Sequence, residues 1–238
     1  MKYAYYPGCS LKGTAFEYDK SFKAVCEFLG IEIKEIEDWV CCGASSAHAV
    51  SRLLSAALPW DVMSKAAKTG NKNMIVPCAA CFSRLKFAQH EIKNDPEMKE
   101  KVGKIIENDL PEDMNVVHPL EMMTEVLEDK RPEVKRKPGI KIACYYGCLL
   151  ARPPKVTRFD NTEYPMSMDN VLRKSGYETI DWSYKTDCCG AAFGLADTSS
   201  VKKLTKKIFE NAIDLGAQAI AVACPMCHAN LDLRQGDL

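Results

Sequence analysis

One cysteine pattern occurs twice in this 238-residue chain, and it limits the possible folds more than any other feature. Lys2-Tyr3-Ala4-Tyr5-Tyr6-Pro7-Gly8-Cys9 aligns with Lys141-Ile142-Ala143-Cys144-Tyr145-Tyr146-Gly147-Cys148. Gly30-Ile31-Glu32 then aligns with Gly176-Tyr177-Glu178, and Cys41-Cys42-Gly43-Ala44 with Cys188-Cys189-Gly190-Ala191. Last, Cys78-Ala79-Ala80-Cys81 aligns with Cys224-Pro225-Met226-Cys227. The offset grows from 139 at the first cysteine to 146–147 later, which points to a small insertion within 152–165 of the second copy. Self-similarity of this kind means two copies of one structural unit.

The elements inside each copy follow from periodicity. Residues 2–6 read as a short strand. Residues 17–29 have helical spacing, with Phe22, Val25, Cys26 and Leu29 on one face and Gly30 as the stop. Residues 31–36 alternate like a strand, and an alanine-rich helical stretch broken at Pro59 follows Gly43. Residues 73–77 read as a buried strand running into Cys78, with a helix expected from Phe82. Strands alternating with helices give an α/β fold with a parallel sheet in each repeat, a small Rossmann-like unit. Each cysteine group then falls at the carboxyl end of a strand, where such sheets bind ligands. The expected domains are 1–130 and 139–238, joined by a charged, proline-containing linker at 128–139. After Cys227 only eleven residues remain, whereas the first copy continues well past Cys81 through Asn115–Pro119. The second repeat therefore reads as truncated at its C-terminus, or as completed by elements supplied elsewhere.

Composition removes other classes. Lys+Arg and Asp+Glu both number 32, so no basic excess suggests nucleic acid. The N-terminus has no apolar leader, and no apolar run reaches the roughly 18–20 residues of a membrane span. The default location is the cytoplasm, where twelve cysteines point to metal or redox chemistry and not to disulfides.

Each copy offers a cysteine after glycine, an adjacent pair, and a Cys-x-x-Cys. A Cys-x-x-Cys at a helix start aims two thiolates one way and lets terminal amides hold them ionised. Five thiolates exceed the four of a zinc site or an ordinary cubane cluster. The two Cys-x-x-Cys pairs lie far beyond zinc-ribbon spacing. A metal-free thiol–disulfide enzyme needs two cysteines, not five per half. Cys26 fits a core position on its helix. Cys144 aligns with Tyr5, so its expected role is structural.

With these residues assembled, the chain resembles the cysteine-rich CCG domain in tandem, as in the family of the heterodisulfide reductase B component. The resemblance covers almost the whole chain. It implies two non-cubane [4Fe-4S] clusters, one held by Cys9, Cys41, Cys42, Cys78 and Cys81. The other would be held by Cys148, Cys188, Cys189, Cys224 and Cys227. These ten cysteines would act in catalysis through the clusters. The implied activity is reduction of a heterodisulfide, the coenzyme M–coenzyme B mixed disulfide of methanogenesis or a related one. The implied partners are a cubane iron–sulfur protein like that reductase's C component and a flavoprotein like its A component. Anaerobic handling follows from the cluster type. The substrate's anionic groups would call for cations, and His48, Arg52, Arg84, Arg152, Lys155 and His228 lie near the motifs. For any single one of them a solvated surface charge is the leading reading. His228, directly after Cys227, is the candidate proton donor by position. His90 and His118 carry no motif and read as structural.

Two other functions compete. Tandem domains of this type also resemble electron-transfer or scaffold subunits of succinate, lactate, glycolate and glycerol-3-phosphate oxidising complexes. Those often carry a ferredoxin-like cysteine run, which is missing here, or lose motif cysteines, all ten of which are kept. A zinc-stabilised interaction protein is the third reading, told apart by metal content.

Overall fold

A computed structural model describes residues 1–44, 47–106, 111, 113–129, 139–194 and 196–235. By internal contacts the chain divides into two compact units, Met1–His118 and Pro119–Leu238.

The first unit opens with β1 (Lys2–Tyr5), α1 (Gly8–Leu11), α2 (Phe16–Leu29) and β2 (Glu32–Glu35). It continues through α3 (Ala47–Val50), α4 (Arg52–Ala67), β3 (Asn73–Ile75), α5 (Ala79–Asn94), α6 (Pro96–Ile105) and β4 (Asn115–Val117). The sheet is parallel, in the order β2-β1-β3-β4. Ala4 and Tyr5 on β1 and Met74 and Ile75 on β3 are wholly buried, as expected for central strands covered on both faces.

The second unit contains α7 (Pro119–Asp129), β5 (Lys141–Tyr145), α8 (Cys148–Ala151), α9 (Pro154–Thr157), α10 (Ser167–Lys174) and β6 (Glu178–Ile180). A 3-10 turn (Ala191–Phe193), α11 (Thr198–Asp214), β7 (Ala219–Val222) and α12 (Pro225–Asp232) complete it. Its parallel sheet runs β6-β5-β7, the order of β2-β1-β3. Among the described residues no strand occupies the place beside β7 that β4 takes beside β3. The extra helix α9 lies inside the stretch where the offset places an insertion. Helix α7, which the sequence groups with the first domain, packs against α10. Most of the expected linker, residues 130–138, lies outside the described residues.

Three local expectations are corrected. Helix α4 is not broken at Pro59 but runs through it. Proline forfeits one backbone bond, and packing of α4 on α5 and α6, with Pro59 and Trp60 buried, holds the helix together. Helix α5 begins at Ala79, three residues before the expected Phe82, so that Cys78 stands at its N-cap. Val25 is exposed, while Phe22 and Cys26 are buried, so the apolar face of α2 is narrower than its spacing suggests.

Candidate metal centre

In each unit three parallel strands (β1, β2 and β3, or β5, β6 and β7) end on one edge of the sheet, and the five cysteines follow those ends. Cys9 lies in α1 just after β1, Cys41 and Cys42 lie in the loop after β2, and Cys78 and Cys81 open α5 after β3. Cys148, Cys188, Cys189, Cys224 and Cys227 hold the same places after β5, β6 and β7.

The sulfurs gather closely. Cys42 Sγ lies 3.0 Å from Cys81 Sγ, and Cys189 Sγ lies 3.5 Å from Cys227 Sγ. Gly43 N–H donates to Cys41 Sγ at 3.4 Å, and Gly190 N–H donates to Cys188 Sγ at 3.3 Å. Both glycines take positive φ, 73° and 75°, so the loop can turn successive amides toward sulfur in an anion-binding nest. Cys9 and Cys78 join through electrostatic contact with Cys41 and a hydrogen bond with Cys81 respectively.

Charge is distributed accordingly. Hydrogen bonds with Cys41 and then Cys81 pull the Cys42 thiol down to about 4, while Cys41 and Cys81 are pushed up. In the second unit a hydrogen bond with Cys148 pulls Cys188 down to about 6. Cys189 is lowered by Cys227, and Cys148 and Cys227 rise in exchange. Each set of sulfurs therefore stabilises thiolate, the form that binds metal.

Glycine makes the close approach possible. A Cβ on Gly8 would lie 3.2 Å from Cys81 Sγ, and one on Gly147 would lie 3.1 Å from Cys227 Sγ. Two tyrosines seat these turns. Tyr6 and Tyr145 are wholly buried beside the sulfurs, and their hydroxyls donate to the carbonyls of Val40 and Asp187. Burial first, and then the nearby sulfurs, push both phenols far above their usual range. Sequence reasoning missed these two as site residues. Their signal was present, because both stand two residues before the glycine in the aligned motifs.

The other expected residues are scattered. Arg84 is half-buried on α5 and close enough to feel the charge of Cys42. Arg52 is exposed and paired with Glu91 and Asp95. Arg152 is paired with Glu163 and also donates to Thr186, two residues before Cys188. His48 and Lys155 are exposed. His228 lines a cleft of about 320 Å³ with Phe209, Ile213, Ile220 and Leu231, and no cysteine is among the lining residues. His90 is exposed beside Asn94, and His118 is buried with Nε2 3.2 Å from the Pro77 carbonyl. Cys144 is buried in β5, and its charged neighbours are Asp169, Lys185 and Arg173.

The donor set fits an iron–sulfur cluster. Five sulfurs supported by amides exceed what one zinc ion uses.

The comparisons agree with this geometry. The model of the cysteine-rich CCG domain matches residues 3–86 and again 142–232. The 8-methylmenaquinol:fumarate reductase membrane anchor subunit of Wolinella succinogenes is 30% identical, over 99% of this chain and 84% of its own. The B component of the ferredoxin/F(420)H(2)-dependent CoB-CoM heterodisulfide reductase of Methanosarcina acetivorans is 25% identical, over 98% of this chain and 80% of its own. The B component of the ferredoxin:CoB-CoM heterodisulfide reductase of Methanosarcina mazei is 26% identical over the same shares. A crystal structure of a hypothetical protein from Helicobacter pylori superposes with a TM-score of 0.79 at 14% identity, over 99% of this chain and 44% of that one. The matched segments hold all ten motif cysteines, and the chain belongs to the CCG cysteine-rich domain family, carrying that domain twice.

Proposed function

We propose that the chain is the iron–sulfur subunit of a multi-subunit oxidoreductase that reduces a small disulfide. The observation that carries this is the pair of equivalent five-cysteine sites in one chain. Cleaving a disulfide takes two electrons, and two like sites supply two one-electron donors. Cys9, Cys41, Cys42, Cys78 and Cys81 would hold one non-cubane [4Fe-4S] cluster. Cys148, Cys188, Cys189, Cys224 and Cys227 would hold the other. When bound, such clusters supply single electrons and an iron site open to sulfur.

The chain's own residues prepare these places. Gly8 and Gly147 let the backbone close on a sulfur, Tyr6 and Tyr145 anchor the loops before the adjacent cysteines, and the loop amides hold thiolate. Cys9, Cys41 and Cys188 are exposed, so both sites open to solvent, from which a disulfide would enter. Arg84, which feels the charge of Cys42, and Arg152, which donates to Thr186 two residues before Cys188, are the cations proposed to meet its anionic groups. His228 is the proton-donor proposal, on sequence position. Electrons would come from a cubane iron–sulfur protein, fed in turn by a flavoprotein. Among the described residues no helix is long and apolar enough to cross a membrane.

The second reading is an electron-transfer or scaffold subunit of a dehydrogenase-type complex. The 30% identity to a quinol:fumarate reductase subunit favours it. Anaerobically purified protein should contain about eight iron and eight sulfide per chain. Mixed disulfide added to the reduced protein should reoxidise it and yield thiols. Full iron without thiol release would favour the second reading. Iron near zero with zinc present would leave a zinc-stabilised interaction protein in place of both.

A further inference from the structure

The two copies differ in charge at two aligned positions beside their sulfurs. Three residues past the last cysteine stand Arg84 in one copy and Asn230 in the other. Directly before the adjacent cysteines stand Val40 and Asp187.

Arg84 is half-buried, its guanidinium 4.7 Å from the centre of the Phe87 ring and within electrostatic reach of Cys42. Asn230 is buried, and its amide donates to the Cys189 carbonyl at 3.0 Å, with Cys189 Sγ at 3.8 Å. The nearest cation on this helix, Arg234, donates to the Asn230 side-chain oxygen and to the Gly194 carbonyl. It is held one turn beyond Asn230, seven residues past Cys227. Asp187 brings a carboxylate close enough to act on Cys188, where Val40 brings none. At these two positions the first copy thus carries a cation and no anion, and the second an anion and no cation. Both favour an added electron at the first set, since reduction adds negative charge.

We propose that Arg84 and Asp187 set the two iron–sulfur sites at different potentials, so that the site of Cys9, Cys41, Cys42, Cys78 and Cys81 is reduced first. This rests on the iron–sulfur reading above. Arg84 carries the larger share, because it is partly desolvated while Asp187 is exposed and screened. Both act on the sites through their charge.

The test is a potentiometric titration of the anaerobic, iron-loaded full chain, followed by electron paramagnetic resonance. The native chain should show two separable one-electron midpoints. Arg84→Asn should lower the upper one by about tenfold in its reduction equilibrium, about 59 mV. Arg84→Lys, which keeps the charge, should restore most of that shift. Asp187→Asn should raise the lower midpoint by a smaller step. Full iron loading with both midpoints unmoved by Arg84→Asn overturns the proposal. If Arg84→Asn does not fold, Asn230→Arg decides the matter, and a lower midpoint that fails to rise overturns it. A native chain without iron fails at the function proposed above, and metal analysis tells that failure apart.

Discussion

Both units tie a tyrosine, an aspartate and a lysine together behind their sulfurs, but from different positions. In the first, Tyr5 donates to Asp19 at 2.5 Å, and Lys23 pairs with the same carboxylate at 2.8 Å. In the second, Tyr146 donates to Asp169 at 2.8 Å, and Lys185 pairs with it at 2.7 Å. Tyr5 aligns with Cys144, whose short side chain faces Asp169 and cannot fill a tyrosine's place. The ring returns two positions later as Tyr146, where the first copy has Pro7. The cation moves from the helix itself to the loop after β6. By contrast, the parts touching sulfur repeat position by position: Tyr6 with Tyr145, Gly8 with Gly147, Gly43 with Gly190. Scaffold groups can be relocated if volume and charge are kept. Groups that hold a multi-sulfur site cannot, because their geometry is fixed by the ligands.

Exposure separates the two triads and gives the largest expected effect. The Lys185 and Asp169 side chains are both 0% exposed, whereas Lys23 is 38% exposed. Lys185→Met would leave a buried carboxylate without its cation, and should cost about 3–5 kcal/mol. Asp19 is itself only 4% exposed, but Lys23 reaches it from the solvent side, so Lys23→Met should cost less, about 1–2 kcal/mol. Urea unfolding of the two variants checks this. Equal losses would mean that the buried pair gives the second unit no special dependence.

The next effect tests the shared glycines. Gly147 sits at φ 72° and ψ 179°, a region open almost only to glycine, and a Cβ there meets Cys227 Sγ. Gly147→Ala should cost about 1–3 kcal/mol and reduce iron content at the second site. Gly8→Ala, at φ 66°, should do the same at the first. Gly30→Ala provides the control. Its φ is 69°, but nothing lies within 4 Å of a new Cβ, so stability should fall while iron stays. Iron and sulfide analysis beside unfolding separates the two kinds of loss.

Much of this was legible in the sequence. The repeat, the parallel α/β units and the placing of all ten motif cysteines after strand ends follow from periodicity and from the glycine and cysteine spacing. The structure gathers each predicted set of five at one sheet edge. What was not legible depends on packing between distant segments. Pro59 inside α4 reads as a break because local propensity does not see α5 and α6. The partners of Lys185 lie 16 and more positions away, and a lone lysine carries no sign of burial. Val25 continues the helical stripe, yet the sheet covers too narrow a face to bury it. Tyr6 and Tyr145 are intermediate: the alignment displays them, but only the structure shows hydroxyls reaching the residues before the adjacent cysteines.

Those tyrosines supply the third prediction. Tyr6→Phe and Tyr145→Phe each remove a hydroxyl and leave a carbonyl without its donor, a loss of about 1 kcal/mol. Because the two are equivalent, unfolding should show similar losses in both variants. Unequal losses would mean that the repeat is less strict around the sulfurs than the alignment suggests.

The smallest effect sits at the sheet edge, where among the described residues the two units differ in their ion pairs. Burial works against ionising Glu35, but the hydrogen bond and charge of Lys12, then those of Lys23, hold its carboxyl below the usual range. A lowered folded value means that the contribution is complete above the unfolded carboxylate value of about 4.3. It is lost as the pH falls through the folded value. Glu35 is 35% exposed, so screening keeps the term small. Glu35→Gln should flatten the loss of stability on acidification from about pH 5 to pH 3, leaving stability near neutrality little changed. Glu178, facing Lys141 at 3.7 Å on the matching edge of the second sheet, is 61% exposed. Glu178→Gln, which removes only that exposed pair, should change stability by well under about 1 kcal/mol, and a loss as large as that of Glu35→Gln would remove the distinction between the two edges.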